Sequence, residues 1–308
     1  MTLYQIYGRR LASGVELPEL AVGEGPSDLG FEIGRVREIC GPWFDVWPLP
    51  DARPWIRAAR TAHGYRIRYE QRADFLIDRV RRTITCEPID CPAAMMRHFL
   101  LDQVVPLMLS LESIVLHASS VAAQGGFVAF LGPGGAGKST IALALGRAGH
   151  AIGSDDGLLL GANAAAPAAT PSYSIVRVWD DSASAIAAGP PANAGAPSTQ
   201  KRRYHDGILF AAARLPLARL YVIEPEPASS IRFAPISARA AAIALVEQSY
   251  RLALDDRDAL ARELDDLAGL ARRVPAWRLA FPRRLDAWRE LSEAVMDHVG
   301  HGAACEAI

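Results

Sequence analysis

Gly132-Pro133-Gly134-Gly135-Ala136-Gly137-Lys138-Ser139 sits between an apolar run at residues 127–131 and a helix-patterned segment at residues 138–149. The run reads as a short strand, and Gly149 stands where a helix of that pattern would be capped. The eight residues match G-x-x-x-x-G-K-[ST] in full, in the strand–loop–helix context that the pattern requires. Glycines let the backbone turn so that successive N–H groups converge on phosphate oxygens. The helix that follows adds its positive end to the same anion. Lys138 is placed to reach the β- and γ-phosphates of a nucleoside triphosphate, and the Ser139 hydroxyl to ligate Mg²⁺. Gly132, Gly134, Gly135, Ala136, Gly137, Lys138, Ser139 and Thr140 are therefore the expected binding residues for ATP. A glycine-rich turn of no consequence is the competing reading, and the flanking strand and helix weigh against it.

Downstream, residues 151–154 read as a strand that delivers Asp155 and Asp156 at its end. A carboxylate at a strand end near phosphates can hold Mg²⁺ or take the proton of an acceptor hydroxyl. An ordinary turn or a helix N-cap is the plain alternative. Upstream, residues 113–122 read as a strand carrying His117, ending at a turn over residues 124–126. A lone His in an apolar strand is more often a core residue than a catalyst, and spacing alone does not bring it to the phosphates. Residues 94–111 have helical spacing despite Pro106.

Further out, residues 1–91 form a β-rich segment, expected to be a separate domain from residues 92–308. Tyr65, Ile67 and Tyr69 alternate with Arg66, Arg68 and Glu70, the period of a half-buried strand. Residues 75–78 and 83–86 would make a hairpin, and Trp43, Trp47 and Trp55 mark irregular connections. Two stretches of low complexity, residues 161–171 and 183–199, are expected as surface loops, the second a candidate lid. Residues 217–223 and 276–281 read as strands. Residues 238–254, 256–272 and 285–299 read as helices.

The 308 residues are half hydrophobic, enough for a sizeable core. A formal net charge of −1 offers no basic excess for nucleic acid. No apolar run is long enough to span a bilayer, and residues 1–10 lack the order of a signal peptide, so no membrane partner and a cytoplasmic location are expected. Cys40, Cys86, Cys91 and Cys305 form no C-x-x-C pair, which argues against a zinc site and for reduced thiols.

Residues 116–160, with His117, the glycine loop and the Asp pair in this order, resemble the HPr kinase/phosphorylase superfamily. The fold implied is α/β, a P-loop kinase core of the type shared with ATP-dependent phosphoenolpyruvate carboxykinase. Its sheet would be mixed, with a small β-rich N-terminal domain beside it. The resemblance implies Asp156 as catalytic base toward a seryl hydroxyl, Asp155 assisting it or the metal, and His117 near the transferred phosphate. A glutamate signature of the family is missing, and Asp181 is the candidate substitute for that metal ligand. Arg203, in Lys201-Arg202-Arg203, is the candidate for the family's distal phosphate-binding arginine. The β-rich start, residues 98–121, the glycine loop, residues 201–203 and residues 217–225 are together similar to the kinases of lasso-peptide precursors. That similarity implies ATP and Mg²⁺ as cofactors, a peptide or small-protein phospho-acceptor, and a homo-oligomer as the superfamily often forms. An HPr-like carrier, a small-molecule alcohol, and an ATP-gated peptide-binding module without catalysis remain alternative readings.

Overall fold

The computed structural model describes residues 1–46, 55–161, 167–186, 201–205, 207–284 and 287–305. They divide into two compact units: Met1–Glu112 with Arg251–Arg257, and Ser113–Tyr250 with Asp258–Ile308. Both are built on mixed sheets, and the described fold is mixed α/β.

The first unit holds an eight-stranded sheet. Its strands are β1 (Thr2–Ile6), β2 (Arg9–Ser13), β3 (Leu29–Ile33), β4 (Trp43–Asp45), β5 (Ile56–Arg60), β6 (Gly64–Tyr69), β7 (Ala73–Asp78) and β8 (Thr83–Pro88), in the order β1-β2-β3-β8-β7-β6-β5-β4. β3 runs parallel to β2 and β8, and the other neighbours are antiparallel. The alternation expected over β6 is present: Tyr65, Ile67 and Tyr69 are buried, while Arg66 and Arg68 reach across to Asp74 on β7. The expected hairpin is β7–β8. Trp43 lies in edge strand β4 rather than in an irregular connection, and Trp47 falls outside the described residues.

The helical segment belongs to this first unit, so the boundary expected after residue 91 lies after Glu112. Side-chain packing explains the shift. Phe99 stacks on Tyr69 with centroids 4.1 Å apart, and Arg97 binds the buried Glu19 at 2.9 Å. The helix is also not uniform. α1 (Ala93–Phe99) passes through a π-helical turn (Leu100–Val104) into α2 (Val105–Leu109). Pro106 has no N–H and would press on the carbonyl four residues earlier, and the wider turn before it relieves that crowding.

The second unit contains β9 (Ile114–Leu116), β10 (Ser119–Ala123), β11 (Gly126–Leu131), α3 (Lys138–Arg147), β12 (Ile152–Ser154), β13 (Leu158–Leu160), β14 (Ala168–Pro171), β15 (Val176–Trp179), α4 (Asp180–Ala185), β16 (Lys201–Tyr204), β17 (Leu215–Ile223), β18 (Arg232–Pro235), α5 (Ala238–Glu247), α6 (Arg257–Arg273), β19 (Ala276–Ala280) and α7 (Trp288–Cys305). Its main sheet runs β12-β10-β11-β17-β14-β13-β9, with β19 joining β17 to β18. β11 is parallel to β17, and β17 to β19, while β10 and β14 are antiparallel to their neighbours.

β11 is buried along its whole length because both faces are covered. Val128 and Phe130 pack with Ile141 and Leu145 of α3 and Leu291 and Val295 of α7. Phe127, Ala129 and Leu131 pack on the other side with Ala241 and Leu245 of α5 and Leu267 and Leu270 of α6. Such a strand reads as a continuous apolar run, which is why it stood out in the sequence. α3 ends as expected: Gly149 is left-handed, its N–H bonds Gly146 O, and His150 N–H bonds Leu145 O.

Three expectations need correction. The single strand at residues 113–122 is two strands, β9 and β10, which pair with different partners, β13 and β11. The break at His117 exists because its N–H bonds Gln248 O at 2.6 Å. The same contact, with Tyr250 N–H on Val115 O at 2.8 Å, ends α5 at Glu247 instead of running to residue 254. The first low-complexity stretch contains β14, since Ala169 is small enough to be fully buried there. Residues 162–166 and 187–200, including most of the candidate lid, lie outside the described residues. Among the described residues no helix is long and apolar enough to cross a membrane. Cys40, Cys86 and Cys91 are free thiols.

Candidate active site

The glycine loop joins β11 to α3 in the central layer of the second unit. Gly137 is the residue before the helix, at φ +104°, a conformation that favours glycine. A Cβ there would also lie 3.3 Å from the Phe281 ring and 3.7 Å from Trp288. Lys138, the first helical residue, turns back over the loop. Its Nζ donates to Gly132 O at 2.7 Å and to Pro133 O at 3.3 Å. Ser119 Oγ holds the Lys138 carbonyl at 2.8 Å, fixing the helix start to β10. Burial pushes the Lys138 ammonium down to about 8, with the carboxylates of Asp156 and Asp155 opposing and Lys201 assisting that shift.

β12 brings the Asp pair to this loop. Asp155 is buried and accepts the Arg177 N–H on Oδ2 at 2.7 Å, with the Ser139 hydroxyl opposing the rise of its pKa. Its Oδ1 has no hydrogen-bond partner among the described residues. Burial first, and the Asp156 charge second, raise its carboxyl to about 7. Asp156 behaves oppositely. Burial would raise it, but the Arg177 guanidinium, then His117 and Lys201, hold it well below the usual carboxylate range. Arg177 Nε donates to Asp156 Oδ2 at 3.1 Å, and Nη2 meets the same oxygen. Two neighbouring carboxyls are thus set apart, one ionised and one ready to carry a proton near neutrality, the usual mark of distinct roles.

His117 stands at the break between β9 and β10, with Nε2 3.6 Å from Asp156 Oδ1. Burial lowers its pKa, against the pull of Asp156, so the ring is mostly neutral at pH 7. Tyr250 packs its ring edge-on to His117 and donates its hydroxyl to Asp156 O at 3.3 Å.

The β15–β16 ribbon closes the same cleft. Arg177 pairs with Arg203 and Trp179 with Lys201 in its register, so these four share one face. Val176, Val178 and Tyr204 occupy the other face and pack into the α3 core. Arg177, Trp179 and Lys201 line a cleft of about 230 Å³ together with His117, Asp156 and the loop residues from Gly134 to Thr140. Trp179 is 43% exposed there.

The structure therefore gathers Gly134, Gly135, Ala136, Gly137, Lys138, Ser139, Thr140, Asp156 and His117 around one cleft, with Gly132 holding Lys138 at its base and Asp155 buried behind Asp156 rather than lining the cleft. Of the basic run, Lys201 lines the cleft, whereas Arg203 is buried on the ribbon. Asp181 has its backbone in α4, and its side chain is outside the described residues. Sequence reading missed Arg177, Trp179 and Tyr250. The alternation Val176-Arg177-Val178-Trp179 was a strand signal that could have aimed Arg177 at the Asp pair. The Ser139 hydroxyl and the orphaned Asp155 Oδ1 suit a divalent cation. Mg²⁺ at a nucleotide takes one or two protein oxygens and draws its other ligands from water and phosphate. Among the described residues no group of three or more His, Cys, Asp or Glu forms a self-sufficient metal cage.

No family model matches the chain, and no curated protein matches it. Among solved structures it is similar to the Hpr(Ser) kinase/phosphatase from Coxiella burnetii. The identity is 12% and the TM-score 0.33, over 63% of this chain and 99% of that chain. At that score and identity the likeness establishes neither a shared activity nor a shared substrate.

Proposed function

We propose that this chain is a Mg²⁺-ATP-dependent kinase that transfers the γ-phosphoryl group to a seryl hydroxyl of a peptide or small protein, a ribosomal precursor peptide of the lasso-peptide type. The observation that carries this reading is the Asp156 carboxylate, paired with Arg177, lining the same cleft as the glycine loop and Lys138. The acceptor class comes from the sequence resemblance.

In this reading the amides of the loop hold the β- and γ-phosphates, and Lys138 exchanges its bonds to Gly132 O and Pro133 O for phosphate oxygens. Ser139 and Asp155 would hold Mg²⁺, which would supply neutralisation of charge on the transferring group. Asp156 takes the proton of the seryl hydroxyl as its oxygen bonds to the γ-phosphorus and ADP departs. Lys201 supplies positive charge at the mouth of the cleft. Phosphoryl transfer asks mainly for positioning and charge neutralisation, and these residues provide both.

The test is incubation with γ-labelled ATP, Mg²⁺, and the peptides encoded beside the gene, with an HPr-like carrier and free hydroxyl metabolites as parallel acceptors. Label on a peptide serine is the expected result. Label on the carrier or a metabolite would move the acceptor class. Tight ATP binding with no transfer to any acceptor would favour a nucleotide-gated binding module.

A further inference from the structure

Arg177 grips the two carboxylates by different groups. Its main-chain N–H holds Asp155 Oδ2, and its guanidinium holds Asp156 Oδ2. A guanidinium facing a carboxylate commonly takes both oxygens, fork to fork. Here Nε and Nη2 converge on one oxygen, and the other, Oδ1, is left beside His117 Nε2 at 3.6 Å. The direction of the grip is set by the strand. Val176 and Val178 are fully buried in the α3 core, so the pleat of β15 turns Arg177 to the cleft face. Tyr250 anchors the same aspartate from behind, through its main-chain carbonyl.

We propose that Arg177 is the positioning residue of this site: it ties down Asp156 Oδ2 so that Oδ1 alone meets the acceptor hydroxyl, while its backbone N–H sets Asp155 on the Ser139 side. The inference rests on the kinase reading for its chemistry. A carboxylate free to spin about its terminal bond would present either oxygen to the hydroxyl, and a displacement near 1 Å costs on the order of 100-fold in rate. One arginine thereby gives two adjacent aspartates separate tasks. The competing account is a structural ion pair that merely holds the ribbon to the sheet, and that account predicts a loss of stability instead of turnover.

The experiment compares the full chain with Arg177→Gln and Arg177→Lys. Phosphate release from Mg²⁺-ATP, with water as acceptor, gives kcat, and calorimetry gives the ATP Kd. For Arg177→Gln we expect kcat to fall by about 10- to 100-fold, with Kd changed less than about threefold and the protein still folded at the assay temperature, although its melting temperature falls because Asp156 loses its chief counter-charge. Unchanged kcat, or a loss of melting temperature that accounts for the whole effect, overturns the inference. A crystal structure of Arg177→Gln decides the matter independently of activity. Asp156 turned so that Oδ1 leaves His117 supports the role, and an unmoved carboxylate refutes it. Failure of the wild type to bind ATP would count against the kinase reading alone, since the crystallographic result still reports on the grip.

Discussion

Replacing Asp155 by Asn should make the protein more stable, and only at the higher end of the pH range. Asp155 is 3% exposed, and burial together with the Asp156 charge raises its carboxyl from 3.8 to about 7. A folded-state value above the unfolded one favours folding while the group is protonated. The contribution is full below about pH 4 and is lost as pH rises through 7. A shift of roughly three units corresponds to about 4 kcal/mol in all. Between pH 5 and pH 8 about 2 to 3 kcal/mol of that is lost by the wild type. Asn keeps the size and the oxygen that accepts the Arg177 N–H, but it never ionises. The stability gap between Asp155→Asn and wild type should therefore widen by about 2 kcal/mol from pH 5 to pH 8. Urea unfolding in metal-free buffer at pH 5, 6.5 and 8 measures it. A gap that does not change with pH, or a variant less stable than wild type at pH 8, would refute the claim that Asp155 is held out of its ionised state.

Three further outcomes follow from the same geometry. ATP affinity of the wild type should decline as pH passes 8, where Lys138 loses its proton, while Lys138→Met should bind about tenfold or more weakly at pH 7, the worth of one charge-assisted hydrogen bond, with a flat profile; calorimetry giving parallel profiles would take Lys138 off the phosphates. Asp156→Asn should abolish label transfer and leave the ATP Kd within about threefold, because a base acts on the acceptor proton and not on nucleotide binding; wild-type transfer by the variant would remove it from that role. Gly137→Ala should cost about 1 to 2 kcal/mol, the penalty of a left-handed side-chain residue, with the Phe281 contact at 3.3 Å adding to it; an unchanged unfolding midpoint would mean that the loop relaxes without strain.

The parts legible in the sequence were those whose signal is local. Residues 127–131 announced a buried strand because β11 is covered on both faces, and the glycine spacing announced the turn after it. The Asp pair was legible as two carboxyls delivered by a strand after the loop, but its inequality was not. What separates Asp155 from Asp156 is Arg177, which arrives from another strand. His117 could not be placed from its neighbours because its position depends on Gln248, a partner far along the chain. The same long-range pairing cut α5 short, a tertiary contact overriding good helical propensity in the residues after Glu247. The basic run at residues 201–203 was recognised as a group. Its pairing with β15 puts Lys201 opposite Trp179 and Arg203 opposite Arg177 on one face, and what separates the two is burial of Arg203, which the run itself does not show.

Lys138 and Asp155 are perturbed in opposite senses, and among the described residues no salt bridge joins them. Lys138 is buried with its ammonium on carbonyl oxygens, and burial makes its charge costly. Asp155 is buried with one oxygen unpartnered among the described residues, and burial together with Asp156 makes its charge costly too. A direct Lys138–Asp155 salt bridge would relieve both, and the fold instead spends each group on a weaker partner. On the kinase reading proposed above, a polyphosphate with a divalent cation would relieve both, each one of the two strains. Native stability is small enough that such frustration is retained only where something offsets it. The acid–base asymmetry of Asp155 and Asp156 then needs no separate cause, because the oxygen that would receive the cation belongs to the aspartate that the arginine side chain does not neutralise.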